Sequence, residues 1–378
     1  MIYLDNNSTT RVDPQVVDAM LPFFSQEYGN AASTTHELGR SARQAVELSR
    51  AIIAQAIGAT EGEIYFTSGA TESNNLAIRG LCTHRGARHK RVVSSTAEHR
   101  AVLDPLKRLT KERIVVDWID SDASGKLEQG SLVNQLAEPL DLVSLMLANN
   151  EIGNLLDVEP ISSIKKQNPF VLHCDGAQAL GKCEIDVQAA GIDMLSLSAH
   201  KVYGPKGVGA LYVRRGVRLK PIVDGGGHEN GKRSGTLNVP GIVGFAKAVE
   251  LAQAGLQEES SRIRQLMHQF DSALHRSLDG VELNGPPLEQ RLLGNLNYSL
   301  QGIDAETLTL QLPEICISTG SACTSADPEP SHVLQSLGLN ETEARSSIRV
   351  GIGRFNTAAE IDHAVQQICT AVTALRGR

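Results

Sequence analysis

Aromatic side chains make up only 4% of this 378-residue chain, with a single tryptophan. So few rings leave little for nucleic-acid bases to stack on. No strongly basic tract occurs, and the formal net charge is −7, so no nucleic-acid footprint is indicated. The six cysteines are Cys82, Cys174, Cys183, Cys316, Cys323 and Cys369, and none forms a C-x-x-C pair. That spacing argues against a cysteine-paired metal site and against a disulfide framework. Several of these thiols are expected to behave as small buried hydrophobes. No apolar run approaches the roughly 20 residues of a membrane-spanning helix. The opening MIYLDNNSTTRVDP has no basic segment followed by an apolar one, so no signal peptide is read there. The expected location is the cytoplasm. Internal repeats and low-complexity tracts are also lacking.

What is present is ordinary soluble-protein material, 41% hydrophobic and 21% charged, long enough for two domains. Between residues 60 and 215, EIYF, RVVSS, RIVVDWI, LVSLMLANN, FVLHCD, DMLSLS and GALYVRR read as buried strands. Helix-like segments, such as Thr71–Leu81 and Glu159–Lys166, lie between several of them. This alternation predicts an α/β domain with a mostly parallel sheet. After Pro240 the pattern changes. Two helical stretches follow, GIVGFAKAVELAQAGL and Glu258–Leu278. Then come strand NLNYSL, helix AETLTLQL, strand ICIS, helix HVLQSL, strand SIRVGI and a final helix, which together read as a smaller α+β domain. The N-terminal helices are expected to pack near that smaller domain.

Several stretches carry chemistry. FTSGATESNNLAI follows a strand and opens a helix, setting Gly69, Ala70 and Thr71 at a helix N-terminus. Unpaired N–H groups and the helix dipole favour an anion there. The pattern is neither G-x-G-x-x-G nor Walker A, and a plain capping turn is the alternative. LHCDGAQAL ends an apolar strand at Asp175, with Gln178 close behind. Carboxylates at such strand ends serve ligands in α/β folds; capping the next turn is the competing role. In SLSAHKVYGPKGVGAL a buried strand ends in Ser198, His200 and Lys201. A lysine leaving such a strand can be a desolvated amine suited to a Schiff base, with Ser198 and His200 donating to a phosphate. An exposed loop lysine is the alternative, and Lys206 supplies one nearby. STGSACTSADPEP sets Cys323 among small residues, upstream of Pro328 and Pro330. That is neither core strand nor amphipathic helix. A phosphate cup, an imine-forming lysine and a carboxylate for a pyridinium nitrogen are what pyridoxal 5′-phosphate (PLP) requires. PLP is therefore the expected cofactor, and no metal is expected.

LDNNSTT, TSGATESNN, EHRAVLD, NNEIG, DGAQ, SAHKVYGPKG, GGGHENGKRSGT, STGSACTS and SIRVGIGRF occur in the order found in cysteine desulfurases of the NifS/IscS type. The chain resembles that family along essentially its whole length. The family belongs to the class V aminotransferase group of fold-type I PLP enzymes. The resemblance implies an α/β fold: a large PLP-binding domain with a mostly parallel mixed sheet flanked by helices, plus a smaller α+β domain. The sequence places these at 13–250, and at 1–12 with 251–378. The smaller domain would carry a mobile catalytic cysteine loop at 318–330. The implied activity is PLP-dependent removal of sulfur from L-cysteine. It yields L-alanine and a persulfide on Cys323, for transfer to an acceptor such as an iron–sulfur scaffold or a tRNA-thiolation enzyme.

The resemblance also implies roles. Lys201 would carry the cofactor, and His99, in TAEHRAV, would stack on its ring; the residues alone read His99 as a core or surface histidine. Asp175 would pair with the ring nitrogen and Gln178 with the phenolic oxygen, with Asn150 beside it. Ala70, Thr71, Ser198 and His200 would hold the phosphate. Thr236, in RSGT, would reach the phosphate of the other subunit, implying a homodimer with shared active sites. Arg349, in SIRVGI, together with Asn150, would bind the substrate carboxylate through a guanidinium fork. Cys323 would attack the substrate sulfur as a thiolate, and small neighbours would let it travel.

The chain departs from the family at Ser8, often alanine, and at Ala31, commonly proline. It departs again at Cys174 and Gly176, usually valine and alanine or threonine. Gly176 is expected to loosen the turn that aims Asp175 and Gln178. Cys174 is expected to be buried beside the cofactor without a catalytic role. The rival readings are a selenocysteine lyase or other class V PLP enzyme, and a non-catalytic sulfur-assembly scaffold. An aminotransferase has no use for a loop thiol, and a scaffold has no need of both Lys201 and Cys323.

Overall fold

Short, nearly continuous apolar runs suit strands buried on both faces. The computed structural model describes residues 1–84, 89–319 and 329–377, so Cys323 lies outside the described residues. After β1 (Ile2–Tyr3), the runs read from sequence form one seven-stranded sheet. Its strands are β2 (Ile64–Thr67), β3 (Arg91–Ser95), β4 (Val115–Ile119), β5 (Leu142–Met146), β6 (Val171–Asp175), β7 (Met194–Ser198) and β8 (Gly209–Val213). The spatial order is β2-β8-β7-β6-β5-β3-β4. Strands β3 to β7 run parallel, and β8 is antiparallel to both β2 and β7. The C-terminal ends of β2 to β7 therefore emerge on one edge.

Alternate residues face opposite sides of a sheet. Phe66, Val93, Leu195 and Tyr212 pack on one face with the helices Glu37–Ala56 and Val239–Ser277. Their neighbours Tyr65, Val92, Met194 and Leu211 pack on the other, with the helices Ala70–Cys82 and Arg100–Thr110. β4 differs from the expected buried strand. It is the sheet edge, with Val115 exposed, because it has a neighbour on one side only. Of the N-terminal helices, Val16, Val46 and Ile53 belong to the core of this large sheet, while Asp13, which caps the first of them, pairs with Arg354 just beyond β13 at 2.9 Å.

The two helical stretches read after Pro240 are one 39-residue helix, Val239–Ser277. Ile242, Phe245 and Val249 on its first half join the large-sheet core. Ile263, Leu266, Phe270 and Leu274 on its second half join a separate core. Packing at both ends carries the helix through Gly255, a weak helix former. The second core lies under an antiparallel sheet of β9 (Val281–Leu283), β10 (Asn295–Leu300), β12 (Ser318–Thr319) and β13 (Ser347–Gly351), in the order β12-β13-β10-β9. β11 (Ile315–Cys316) instead pairs in parallel with β1, so ICIS is divided between two sheets.

The N-terminal thread then crosses between the cores. Gly351 N–H donates to the Leu4 carbonyl at 2.6 Å, and Thr10 N–H donates to the His200 carbonyl at 3.0 Å. Among the described residues, no helix is long and apolar enough to cross a membrane. Nor is there a group of three or more His, Cys, Asp or Glu placed to hold a metal ion.

Candidate active site

A cavity of about 960 Å³ opens at the C-terminal edge of the large sheet. One end is a helix N-terminus. Gly69 caps the helix Ala70–Cys82 at φ 148°, without a side-chain cap. That leaves the first turn, Ala70 and Thr71, facing the cavity. The first N–H groups of a helix have no partner within it, so this end attracts an anion. Ser198, the last residue of β7, and His200 line the same end. His200 Nδ1 lies 3.1 Å from Thr9 Oγ1. Burial, reinforced by the charges of Lys201 and Lys206, brings its pKa down to about 4. It is therefore a neutral ring at physiological pH.

Lys201 follows in the short turn after β7. Its Nζ donates to the carbonyls of Asn7 and Ser8, both at 2.7 Å. Burial first, then the charges of Arg349 and Lys182, bring this amine down to about 7. An amine so placed is partly neutral near pH 7 and can act as a nucleophile or base. Lys206, by contrast, is exposed.

His99 caps the helix Arg100–Thr110, and its Nδ1 accepts the N–H of Ala101 at 3.1 Å. Burial lowers its pKa against the pull of Asp175. An accepting Nδ1 leaves the proton of the neutral ring on Nε2. His99 is thus a cavity-wall group and not a filler of the core.

Asp175 closes β6, with Oδ2 accepting from Asn74 Nδ2 at 2.7 Å and Oδ1 from Ala177 N–H at 2.9 Å. Gly176 leaves little room for a side chain in this turn. A Cβ there would lie 2.7 Å from Leu195 Cδ1, inside a core with no room to yield. Gln178 donates from Nε2 to the Asn7 carbonyl at 2.8 Å and accepts from Lys182 Nζ at 3.1 Å. Cys174 is buried, and burial pushes its thiol well above the ordinary range, so it is an inert thiol.

On the opposite wall, Arg349 of β13 donates from Nη1 to the Asn150 carbonyl at 3.2 Å and from Nη2 to Asp5 Oδ1 at 3.0 Å. Both Asn150 and Arg349 line the cavity. Thr236 does not; it is exposed, on the segment before the long helix.

The sequence reading missed a supporting layer. Asp5, Asn7 and Ser8 lie within LDNNSTT, where no local pattern marks their roles. Asn74 holds Asp175, and Lys182 holds Gln178. Glu98 is fully buried, accepts Met146 N–H at 2.6 Å, and is pushed well above the usual carboxyl range by burial. Glu98 opens EHRAVLD, but that motif does not reveal its burial, because its setting comes from β5 and not from its own segment.

Fold and site define a PLP-type α/β class, and the comparisons agree. The Aminotransferase class-V family profile matches residues 2–364, and the chain belongs to that family. A relative named cysteine desulfurase IscS, from Anaeromyxobacter dehalogenans (strain 2CP-C), is 46% identical over 99% of this chain and 93% of its own. A solved NifS-like protein superposes with TM-score 0.90 at 35% identity, covering 99% of both chains. A structure described as SspA in complex with cysteine gives TM-score 0.83 at 33% identity, covering 94% of this chain and all of its own.

Proposed function

We propose that this protein is a PLP-dependent cysteine desulfurase that converts L-cysteine to L-alanine and leaves the sulfur as a persulfide on Cys323. The observation that carries this reading is Lys201. Its buried, partly neutral amine shares one cavity with an anion-attracting helix end and a buried carboxylate. The donor set fits PLP. Ala70, Thr71, Ser198 and His200 would hold the phosphate. Asp175 would face the ring nitrogen and Gln178 the phenolic oxygen, with His99 over the ring.

When bound, PLP supplies an electron sink for the pair released as the substrate's Cα–H bond breaks. Lys201 Nζ would carry the cofactor and, once released, take the Cα proton. Arg349 would bind the substrate carboxylate, with Asn150 beside it. The Cys323 thiolate would attack the substrate sulfur. An S–S bond would form, the C–S bond would break, and the released pair would take up a proton, equivalent to the one lost by the substrate thiol, as that carbon becomes the alanine methyl. The exposed position of Thr236, away from its own chain's cavity, supports a homodimer in which it serves the partner's site. The persulfide would pass to an acceptor such as an iron–sulfur scaffold or a tRNA-thiolation enzyme.

The test is to purify the protein, record its absorption, and assay sulfide and alanine from L-cysteine with a reductant, alongside Cys323→Ala. A yellow protein releasing both in equal amounts, with an inactive variant, is the expected result. A yellow protein without sulfide would point to another amino-acid substrate, and one that never takes up PLP would leave only the scaffold reading.

A further inference from the structure

Arg349 is a buried cation, with only 4% of its side chain exposed. Much of its donor capacity is spent on the protein. Besides Asn150 and Asp5, Nη2 donates to Ser318 Oγ at 3.1 Å and to Ser8 Oγ. The two hydroxyls pass the interaction on. Ser8 Oγ donates to Asp5 Oδ1 at 2.9 Å, and Ser318 Oγ donates to the same oxygen at 2.7 Å. Asp5 Oδ1 is thus the hub of a cluster that pins one arm of the guanidinium. The other terminal nitrogen is held by the Asn150 carbonyl.

A guanidinium is planar, so anchoring both terminal nitrogens fixes the direction of every remaining N–H. The Nε–H is buried with no partner among the described residues. A buried donor on a charged group left unpaired is costly, and an incoming carboxylate oxygen would satisfy it. Ser8 and Arg349 line the cavity, whereas Asp5 stands behind them. An alanine at position 8 would lack the hydroxyl that ties Nη2 to Asp5.

We propose that Asp5 and Ser8 are positioning residues that hold the Arg349 fork in the orientation that receives the substrate carboxylate. They set affinity for carboxylate-bearing ligands through the orientation of Arg349. This rests on the role given to Arg349 above, and the test separates the two.

The holoenzyme is titrated by absorption with L-alanine and with ethylamine, which lacks the carboxylate. Arg349→Ala weakens L-alanine by about a hundredfold and spares ethylamine. Asp5→Ala weakens L-alanine by about tenfold, Asp5→Asn recovers most of that by keeping Oδ1 as an acceptor, and Ser8→Ala costs about threefold. In the Asp5 and Ser8 variants the KM for L-cysteine follows these shifts, and in Ser8→Ala kcat stays within about twofold. If Arg349→Ala weakens L-alanine but Asp5→Ala and Ser8→Ala do not, the positioning role is overturned. Equal weakening of L-alanine and ethylamine in those two variants marks a merely structural role and overturns it as well. If Arg349→Ala leaves L-alanine binding unchanged, the carboxylate role of Arg349 itself fails. Should Asp5→Ala not fold, Ser8→Ala decides, because it removes a single hydroxyl.

Discussion

The two walls of the cavity are built by different means. On the sheet side, each functional group sits within a few residues of a strand's C-terminal end. Ala70 follows β2, His99 follows β3, Asn150 follows β5, Asp175 closes β6, and Lys201 follows β7. On the opposite side, Arg349 meets Asp5 across 344 residues of sequence. The first wall is set by local geometry once the sheet exists. The second exists only when the N-terminal thread lies between the two cores. On the reading proposed above, the first wall would carry the chemistry and the second, with Asn150 reaching Arg349 from the first, the substrate's carboxylate.

The largest expected effect is on the sheet side. Lys201→Ala should lower sulfide and alanine production by roughly a thousandfold or more, because on the proposed reading it removes both the amine that would carry the cofactor and the base. Circular dichroism and thermal melting should show a normally folded protein. A variant retaining a tenth of the activity would break the division of labour between the walls.

A smaller effect tests what supports the sheet wall. Arg50 forms an ion pair with Glu229 at 2.8 Å, and Glu229 accepts the N–H of Phe66 in β2. The Glu229 side chain is only 3% exposed. Arg50→Ala should cost about 3 kcal/mol in urea unfolding, because it leaves a buried carboxylate without its partner. A cost near zero would mean that β2, and with it the helix end at Ala70, is held by packing and by its pairing with β8.

The smallest effect is a pH slope. In the cofactor-free protein the Lys201 amine titrates at about 7 instead of 10.5. Between those values the unfolded chain binds more protons than the folded one, so stability from this group rises with pH across that window. Below pH 7 the folded state bears the full cost of a buried charge. Thermal melts of cofactor-free Lys201→Met should lack that upward slope, and an unchanged slope would assign it to other groups.

Much of the chemistry was legible because strand ends concentrate it. An apolar run that stops at Asp175 or Lys201 announces both the strand and the group beyond it. The fold class followed from the alternation of such runs with helical segments. The failures have one cause, which is distance. β4 reads as buried because its edge position depends on strand order. The Val239–Ser277 helix reads as two because Gly255 looks like a break until both cores hold it. Asp5, Ser8 and Glu98 could be quoted within motifs, yet their partners lie on other strands.

The amino-acid sequence by itself determined the seven strands of the large sheet, the groups at their ends and the family, because those depend on runs and motifs of neighbouring residues. The tertiary structure alone decided that Lys201 is depressed to about 7, that His99 carries its proton on Nε2, and that Arg349 is tied to Asp5. Burial and long-range electrostatics are properties of what lies around a side chain, and no local stretch of sequence contains them.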